Sequence, residues 1–491
     1  MQNLIAERAP LLPVTVSLIL GIVAGFTLKA SITLLPFFIG MVVLAFCLHR
    51  HGALQSLAIL LSIALLGMLL ATRQWQQVAR LSYDGAPCDL SAVVASEPSV
   101  KPRSVAVDVL LVSNGQKLRC YLAPGARALQ LKPGDGLLLR QVRLDDCGRL
   151  IRQGFAGQCY VPEKQWASFT RPSLSRLSTI DRSRLRFLQW RHLLLQRYRL
   201  LGASDDSYAV LAAMTLGDKS ALSRELRDTY SVTGASHVLA LSGLHLGILY
   251  MLLSFLLQSR YRQRVWSQAV LVLSIWAFAL LVGLPVSVVR SATMISLFAI
   301  FSVGHRPHLS VNLLCLAALV ILLQNPYALF DVGFQLSFVS VASILLLLPL
   351  FTPDPLPQAE RAPAPSLFRR FTTAVVGLLA VSLVAQVGVA PLIAYYFGRF
   401  STYFLLTNLI VLPAAYLILC GSLLMLLVPI VAPAVLWIVG SLNRLLSVVA
   451  QLPLSSIDDL HPSWVQVVVW YLLVASLSGA VWVWRGRWSW S

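Results

Sequence analysis

The sequence predicts a polytopic α-helical membrane protein of about 10–12 spans that carries one small extracytoplasmic β-barrel insert. Three observations lead there. Hydrophobic residues make up 57% of the 491 residues and charged residues only 12%, with a mean hydropathy of +0.75, far from the balance of a soluble globular chain. Apolar runs of spanning length recur along most of the chain. Between the third and fourth runs the pattern changes to short alternating stretches broken by turn signals.

The runs lie at 11–28, 32–48, 54–71, 236–258, 266–284, 288–304, 310–323, 332–350, 371–390, 403–428, 433–450 and 464–484. No small-residue cleavage site follows Lys29 and two further runs come directly after it, so the first run reads as a retained helix. Its Gly21 and Gly25 have the spacing that lets two membrane helices approach closely, although simple tolerance of glycine gives the same pattern. The run 433–450 carries Asn443 and Arg444 near its middle and reads either as a span or as an interfacial helix. Five domains are expected: amino-terminal spans over 1–72, the β insert over 73–170, a basic amphipathic membrane-surface segment over 171–203, a central transmembrane domain over 204–428, and carboxy-terminal spans over 429–491.

Charge placement sets the orientation. The net +19 comes from 39 Lys and Arg against 20 Asp and Glu. With both termini in the cytoplasm, His49-Arg50-His51, Arg260/Arg262/Arg264, Arg306, Arg361/Arg369/Arg370 and Arg485/Arg487 all fall inside, as the positive-inside rule asks. Residues 73–233 then lie outside the cytoplasmic membrane. Of the seven cysteines, Cys47, Cys315 and Cys420 lie in apolar runs. Cys88, Cys120, Cys147 and Cys159 fall in the insert, where the expected compartment permits disulfides; four cysteines allow three pairings. No Cys/His spacing suggests zinc, and no metal or cofactor is expected.

Within the insert, strands are expected at 89–96, 105–109, 117–122, 137–143 and 149–160, separated by Asn114-Gly115, Pro124-Gly125 and Pro133-Gly134-Asp135-Gly136. About five strands in this length suit a small OB-like barrel, and a small sandwich would read much the same. Residues 83–166 hold eleven basic and eight acidic residues, so the excess is small. The candidates for holding a polynucleotide there are Arg119, Tyr121, Arg140, Arg143, Arg152, Phe155 and Tyr160, since basic grooves and aromatic faces bind single strands without sequence preference. From Arg171 to Arg199 eight arginines face the single Asp181. Aromatics interleave them at helical spacing, so Arg182, Arg184, Arg186 and Arg191 suit either an anionic membrane surface or a nucleic-acid backbone.

The densest polar signal inside an apolar run is His237-Val-Leu-Ala-Leu-Ser242-Gly243-Leu-His245-Leu-Gly247. Such groups are costly in hydrocarbon and by default face a cavity or a partner. Read as one helix, the run puts His245 roughly 12 Å below His237 and about 80° round the axis. Arg290, Asp331, Gln335, Gln386 and Asn408 come from four further spans and fall in the same half of the membrane, so all can line one vestibule. Each has a plainer alternative: Arg290 pairing with Asp331, Ser242 and Gly243 serving helix packing, Gln386 and Asn408 tying helices together.

Leu216-Gly217-Asp218-Lys219, followed by Gly234, His237, Ala240, Ser242, Gly243 and His245 in a Gly-x-x-His-x-x-Ala-x-Ser-Gly-x-His array, resembles the ComEC family of DNA-uptake channels. Arg290 with Met294, the stretch from Asn325-Pro326 to Phe338, Gln386 with Pro391, and Asn408 with Pro413 resemble its later blocks in order. The resemblance covers 205–415 and implies a competence channel domain passing single-stranded DNA across the cytoplasmic membrane in natural transformation. It implies partners as well: a DNA receptor or pilus outside, a separate nuclease, and cytoplasmic single-strand-binding and recombination proteins. The family segment that closes the barrel domain is reduced here to Gln153-Gly154-Phe155-Ala156. The chain ends seven residues after its last apolar run and contains no His-x-His-x-Asp-His, so a short form without a β-lactamase-like domain is expected. No Gly-x-x-x-x-Gly-Lys-Ser/Thr loop is present, which leaves any driving force to another protein or to strand capture on the inner side.

Two other functions fit the same residues. One is an intramembrane serine hydrolase with Ser242 as nucleophile and His245 or His237 as base. Against it stand the missing Gly-x-Ser-x-Gly elbow and the poor geometry expected three residues along one helix. The other is a transporter of a lipid-linked or small anionic solute.

Overall fold

The computed structural model describes residues 9–28, 34–79, 87–145, 155–170, 172, 174–175, 177–257, 264–303, 311–351 and 366–488. Each of the twelve apolar runs carries helix over its described residues, one of them in two pieces. Among the described residues, seven helices are long and apolar enough to cross a membrane, and five shorter apolar helices accompany them. The first three are α1 (Leu11–Leu28), α2 (Leu35–Cys47) and α3 (Gly52–Ala79). A Cβ on Gly21 would come within 1.9 Å of the Ala64 carbonyl oxygen, and one on Gly67 within 2.6 Å of that of Leu18. Glycine there is required for α1 and α3 to touch backbone to backbone.

The insert folds as a small sheet domain. Its strands are β1 (Cys88–Val94), β2 (Ser99–Lys101), β3 (Ser104–Leu111), β4 (Lys117–Leu122), β5 (Gly136–Val142), β6 (Phe155–Val161) and β7 (Trp166–Phe169), with a one-turn helix α4 (Ala126–Leu129) between β4 and β5. The order is β6-β4-β3-β1-β5-β7, and β2 pairs with β3. All five expected strands are present, the last over its described part. The short β2 and β7 were not foreseen, since three or four residues carry no readable alternation. The β4–β6 pair is parallel, the other pairs are antiparallel, and Asp145 bridges antiparallel to Gln158 beyond the end of β5. Alternate residues turn inward to a core that includes Val107, Leu118, Leu122, Leu137, Leu139 and Val161.

The basic segment forms α5 (Thr179–Leu200), its first turn capped by Ser178, whose hydroxyl accepts from the Asp181 amide at 3.1 Å. The helix does more than lie on a membrane face. Leu185 and Leu188 pack on Val93, Ala95 and Leu110 of the sheet, while Leu195 and Tyr198 enter the core of the helical domain. This helix therefore joins the two parts of the molecule.

Next come α6 (Asp205–Leu216), α7 (Arg224–Val232), α8 (Ser236–Leu239), α9 (Gly243–Leu256), α10 (Arg264–Leu281), α11 (Val286–Val303) and α12 (Val311–Gln324). They are followed by α13 (Val332–Phe351), α14 (Leu367–Phe397), α15 (Phe404–Leu427), α16 (Ala432–Ala450) and α17 (Trp464–Trp488). In α6, Val210 to Met214 are sealed from solvent, enclosed by α5, α8, α15 and α16. The run with two readings, 433–450, is the regular helix α16; its stripe Val435, Val439, Leu442, Leu446 and Val449 faces that core, and Asn443 accepts a hydrogen bond from Tyr230 at 2.7 Å.

Candidate functional site

The run 236–258 is not one helix. Gly234 takes φ +78°, α8 lasts four residues, Ala240 is extended, and α9 restarts at Gly243. The 12 Å and 80° geometry expected for His237 and His245 on a single helix is therefore overturned: they sit on separate helices. Local chemistry explains the break. Ser242 is the cap of α9, and Ser242 with His245 forms a capping box in which each side chain satisfies the other's backbone N–H. The Ser242 amide donates to His245 Nδ1 at 3.3 Å, and Ser242 Oγ lies 3.1 Å from the same nitrogen. The expectation of poor serine–histidine geometry is overturned with it, because it assumed both residues inside a helix. Nδ1 accepts, so the proton is on Nε2. His245 is fully buried, whereas His237 is exposed, its Nδ1 3.0 Å from the Gly234 carbonyl oxygen.

Five helices close a ring. Helix α9 packs on α11, α11 on α13, α13 on α14, α14 on α15, and α15 back on α9. Each carries or adjoins a polar residue singled out in the sequence: His245 on α9, Arg290 on α11, Asp331 and Gln335 at the start of α13, Gln386 on α14, Asn408 on α15. Gly243 lies where α9 meets α11; a Cβ there would stand 3.2 Å from Ser291 Oγ.

The plainer roles are realised for some of these groups. Arg290 Nη1 donates to Asp331 Oδ2 at 2.8 Å, and the same oxygen accepts from the Phe334 amide, capping α13. Gln335 donates to the Leu329 carbonyl and accepts from Tyr396 on α14 at 2.7 Å. Other atoms are left over. His245 Nε2, Arg290 Nε, Asn408 Oδ1, Thr407 Oγ1 and Ser401 Oγ are buried with no hydrogen-bond partner among the described residues. Thr407 and Ser401 were missed in the sequence, where an isolated hydroxyl in an apolar run carries no spacing signal.

A groove of about 610 Å³ leads toward α8. One wall is the sheet, through Asp108, Arg119 and Tyr121; the other holds Arg191 of α5, the turn Gly217-Asp218-Lys219, Arg227, and Ser236 and Leu239 of α8. Five basic side chains (Lys101, Arg119, Arg191, Lys219, Arg227) and three carboxylates (Glu97, Asp108, Asp218) line it. Much of that charge is already engaged. Arg119 makes a two-pronged pair with Asp108 at 2.8 and 3.2 Å. Arg191 is buried and donates to the Val282 carbonyl at the end of α10, where a cation meets the negative pole of the helix. Burial, with Arg227 nearby, lowers the pKa of Lys219.

The outward face of β4 and β6 brings Arg119, Tyr121 and Tyr160 together, since Tyr121 and Tyr160 are register partners on neighbouring strands. Phe155 is different: it is buried, and Lys117 and Arg119 stand over its ring at 4.0 and 4.5 Å, so no face is open to a base. Burial pushes the Lys117 ammonium down to about 8, against the pull of Asp108. Arg140 and Arg143 are exposed on and just beyond β5, away from β4. Arg182 and Arg186 are exposed on α5, while Arg184 is half-buried beside Asp181 and Asp108. Arg152 and Cys147 lie outside the described residues. Cys120 and Cys159 are cross-strand partners in the sheet core with sulfurs 3.3 Å apart, and Cys88 lies near Cys159. Among the described residues no group of three or more His, Cys, Asp or Glu side chains is placed to hold a metal ion.

Seven described apolar helices of spanning length, with a small sheet domain anchored by α5, fit a polytopic helical membrane protein that carries a β module. The family model described as Competence protein matches residues 214–485, and the chain belongs to that family. It is 32% identical over 208 residues to ComE operon protein 3 of Bacillus subtilis, covering 42% of this chain and 25% of that protein. It is 29% identical over 168 residues to Competence protein ComA of Neisseria gonorrhoeae, covering 32% and 24%. An uncharacterized Aquifex aeolicus protein is 29% identical over 205 residues, 42% of this chain and 44% of that one. The matches thus span less than half of each of these relatives. No solved structure matches.

Proposed function

We propose that this protein is the channel that passes single-stranded DNA across the cytoplasmic membrane during natural transformation. The observation that carries the reading is the closed ring of α9, α11, α13, α14 and α15, each helix contributing a polar residue toward one end of the bundle. A strand with one phosphate per nucleotide needs a wet, polar and only moderately attractive path. Imidazole, amide and hydroxyl groups supply that better than a ring of lysines. The leftover atoms His245 Nε2, Thr407 Oγ1 and Asn408 Oδ1 are donors and acceptors that such a passage would satisfy. In this reading His237, Ser242, Gly243, His245, Arg290, Asp331, Gln335, Gln386 and Asn408 belong to the channel; Ser242 and Gly243 set the break at its mouth, and Arg290 with Asp331 holds α11 to α13.

The sheet domain is read as an OB-like barrel on the outer side of the membrane. Counting β1, β3, β4, β5 and β6 as five barrel strands, the paired order runs 5-3-2-1-4, with strands 3 and 5 parallel and α4 between 3 and 4. The Asp145–Gln158 bridge joins the two ends of that order. Tyr121 and Tyr160 give a stacking face, and the groove from Arg119 past Lys219 to Ser236 leads the strand to the ring. Delivery from a DNA receptor or pilus, degradation of the other strand by a separate nuclease, and capture inside by single-strand-binding and recombination proteins complete the scheme.

Deleting the gene in a transformable host tests it. Labelled DNA is expected to bind the cell surface normally and never reach the cytoplasm; normal entry overturns the reading. Purified protein is expected to bind a fluorescent oligonucleotide in a salt-dependent manner, and absence of binding at low salt favours a solute carrier instead. The hydrolase alternative predicts labelling of Ser242 by a fluorophosphonate; the capping box already accounts for the serine–histidine contact, so none is expected.

A further inference from the structure

Helix α5 packs on α10 and leaves a second cleft, of about 610 Å³, between itself, α9 and α10. Phe187, Trp190 and Leu194 form one wall, Leu253 and Phe278 the others. Its single hydroxyl, Ser274, is turned to the Val270 carbonyl and asks for no further partner. The cleft is held open by a fixed anchor: Leu188 lies 3.1 Å from where a Cβ on Gly283 would stand, and Arg191 donates to Val282. Trp190 and Leu193 remain 56% and 59% exposed, an apolar surface that water alone would not favour.

The charge on the same stripe says what covers it. Arg186 lies one turn before Trp190 and Arg197 one turn after Leu193, on the same face of α5. Both are exposed, and neither makes an ion pair with a described residue. An apolar slot between two apolar helices takes a hydrocarbon chain, and a guanidinium on the same helix stripe takes a phosphate. A nucleic acid matches the arginines but not the slot; a second apolar helix matches the slot but not the arginines.

We propose that this cleft binds an anionic phospholipid, with one acyl chain between α5, α9 and α10 and the head group drawn by Arg186 and Arg197. The lipid would brace α9, the helix that carries His245, against the helix that carries the sheet domain. The proposal stands apart from the DNA reading and is tested without DNA.

Full-length protein is placed in phosphatidylcholine nanodiscs containing a few mole per cent of lipid brominated on its acyl chains, either phosphatidylglycerol or phosphatidylcholine. The fluorescence of Trp190 is taken as the difference between the native protein and Trp190→Phe. Brominated phosphatidylglycerol is expected to quench it about fivefold more effectively than brominated phosphatidylcholine, the factor expected for a basic residue at an anionic surface. In the double variant Arg186→Gln/Arg197→Gln the two lipids become equal. Both substitutions are on exposed side chains, and an unchanged thermal midpoint checks the fold. Equal quenching in the native protein means bulk lipid contact only, and no quenching by either means another protein surface covers the cleft; both results overturn the proposal.

Discussion

The sheet domain and the helical ring solve opposite problems with the same chain. In the sheet, the inward face is mainly apolar and an outward charge such as Arg119 is paired with its neighbour Asp108. In the ring, large apolar side chains are exposed along the helices, and polar atoms of His245, Arg290, Thr407 and Asn408 are buried without a partner among the described residues. Burying an unsatisfied polar group costs about 1–3 kcal/mol, so a helical bundle built only for stability would not collect them. The contrast teaches where to look for function: in the sheet on its outer face, in the membrane domain at its interior.

Substitutions can break or sharpen that contrast. The largest expected loss is in the sheet core, where Leu137→Ala empties a fully buried site and costs about 3 kcal/mol, read as earlier proteolysis of the sheet domain while the spanning helices stay intact. Arg290→Gln comes next. It leaves Asp331 without its cation, costs about 2 kcal/mol, and is expected to abolish DNA entry; a loss of stability with normal entry assigns the pair to packing alone. On the outer face, Tyr121→Ala and Tyr160→Ala are each expected to weaken oligonucleotide binding by about 1–2 kcal/mol without changing stability, and full affinity in both variants removes the stacking face from the scheme.

Smaller effects follow. His245→Ala removes one half of a capping box and costs about 1 kcal/mol, while the channel reading expects transformation to fall far more than that stability change explains. The last effect is one of pH. Lys117 titrates near 8 in the folded protein against 10.5 when free. Between those values the unfolded chain binds more protons, so stability rises with pH across that window. The ammonium is 23% exposed, and allowing for solvent screening the rise is about 1 kcal/mol. It should vanish in Lys117→Met, measured by thermal unfolding from pH 7 to 10.5.

Legibility followed the reach of each signal. The long apolar helices were readable because an apolar run of bilayer length has few other meanings. The five longer strands were readable from alternation and turn residues. The break at Ala240 was not, because nothing in the composition of 236–258 distinguishes a serine inside a helix from a serine capping one. Arg119 and Tyr121 were legible as residue types, but the engagement of Arg119 by Asp108 and the cover over Phe155 depend on strand register. Lys219 and Arg227 went unremarked as groove residues, since only folding carries them to the sheet.

The sequence by itself determined that the chain is built largely of apolar helices suited to a membrane, that a strand-rich module interrupts them, and which polar residues are out of place in hydrocarbon. Those are local properties: transfer free energy and turn chemistry act on neighbours along the chain. Only the tertiary structure decided that five separated helices close a ring, that α5 ties the sheet to the helices, and that His245 Nε2 is buried without a partner among the described residues. These depend on contacts between residues far apart in sequence, which no local window contains.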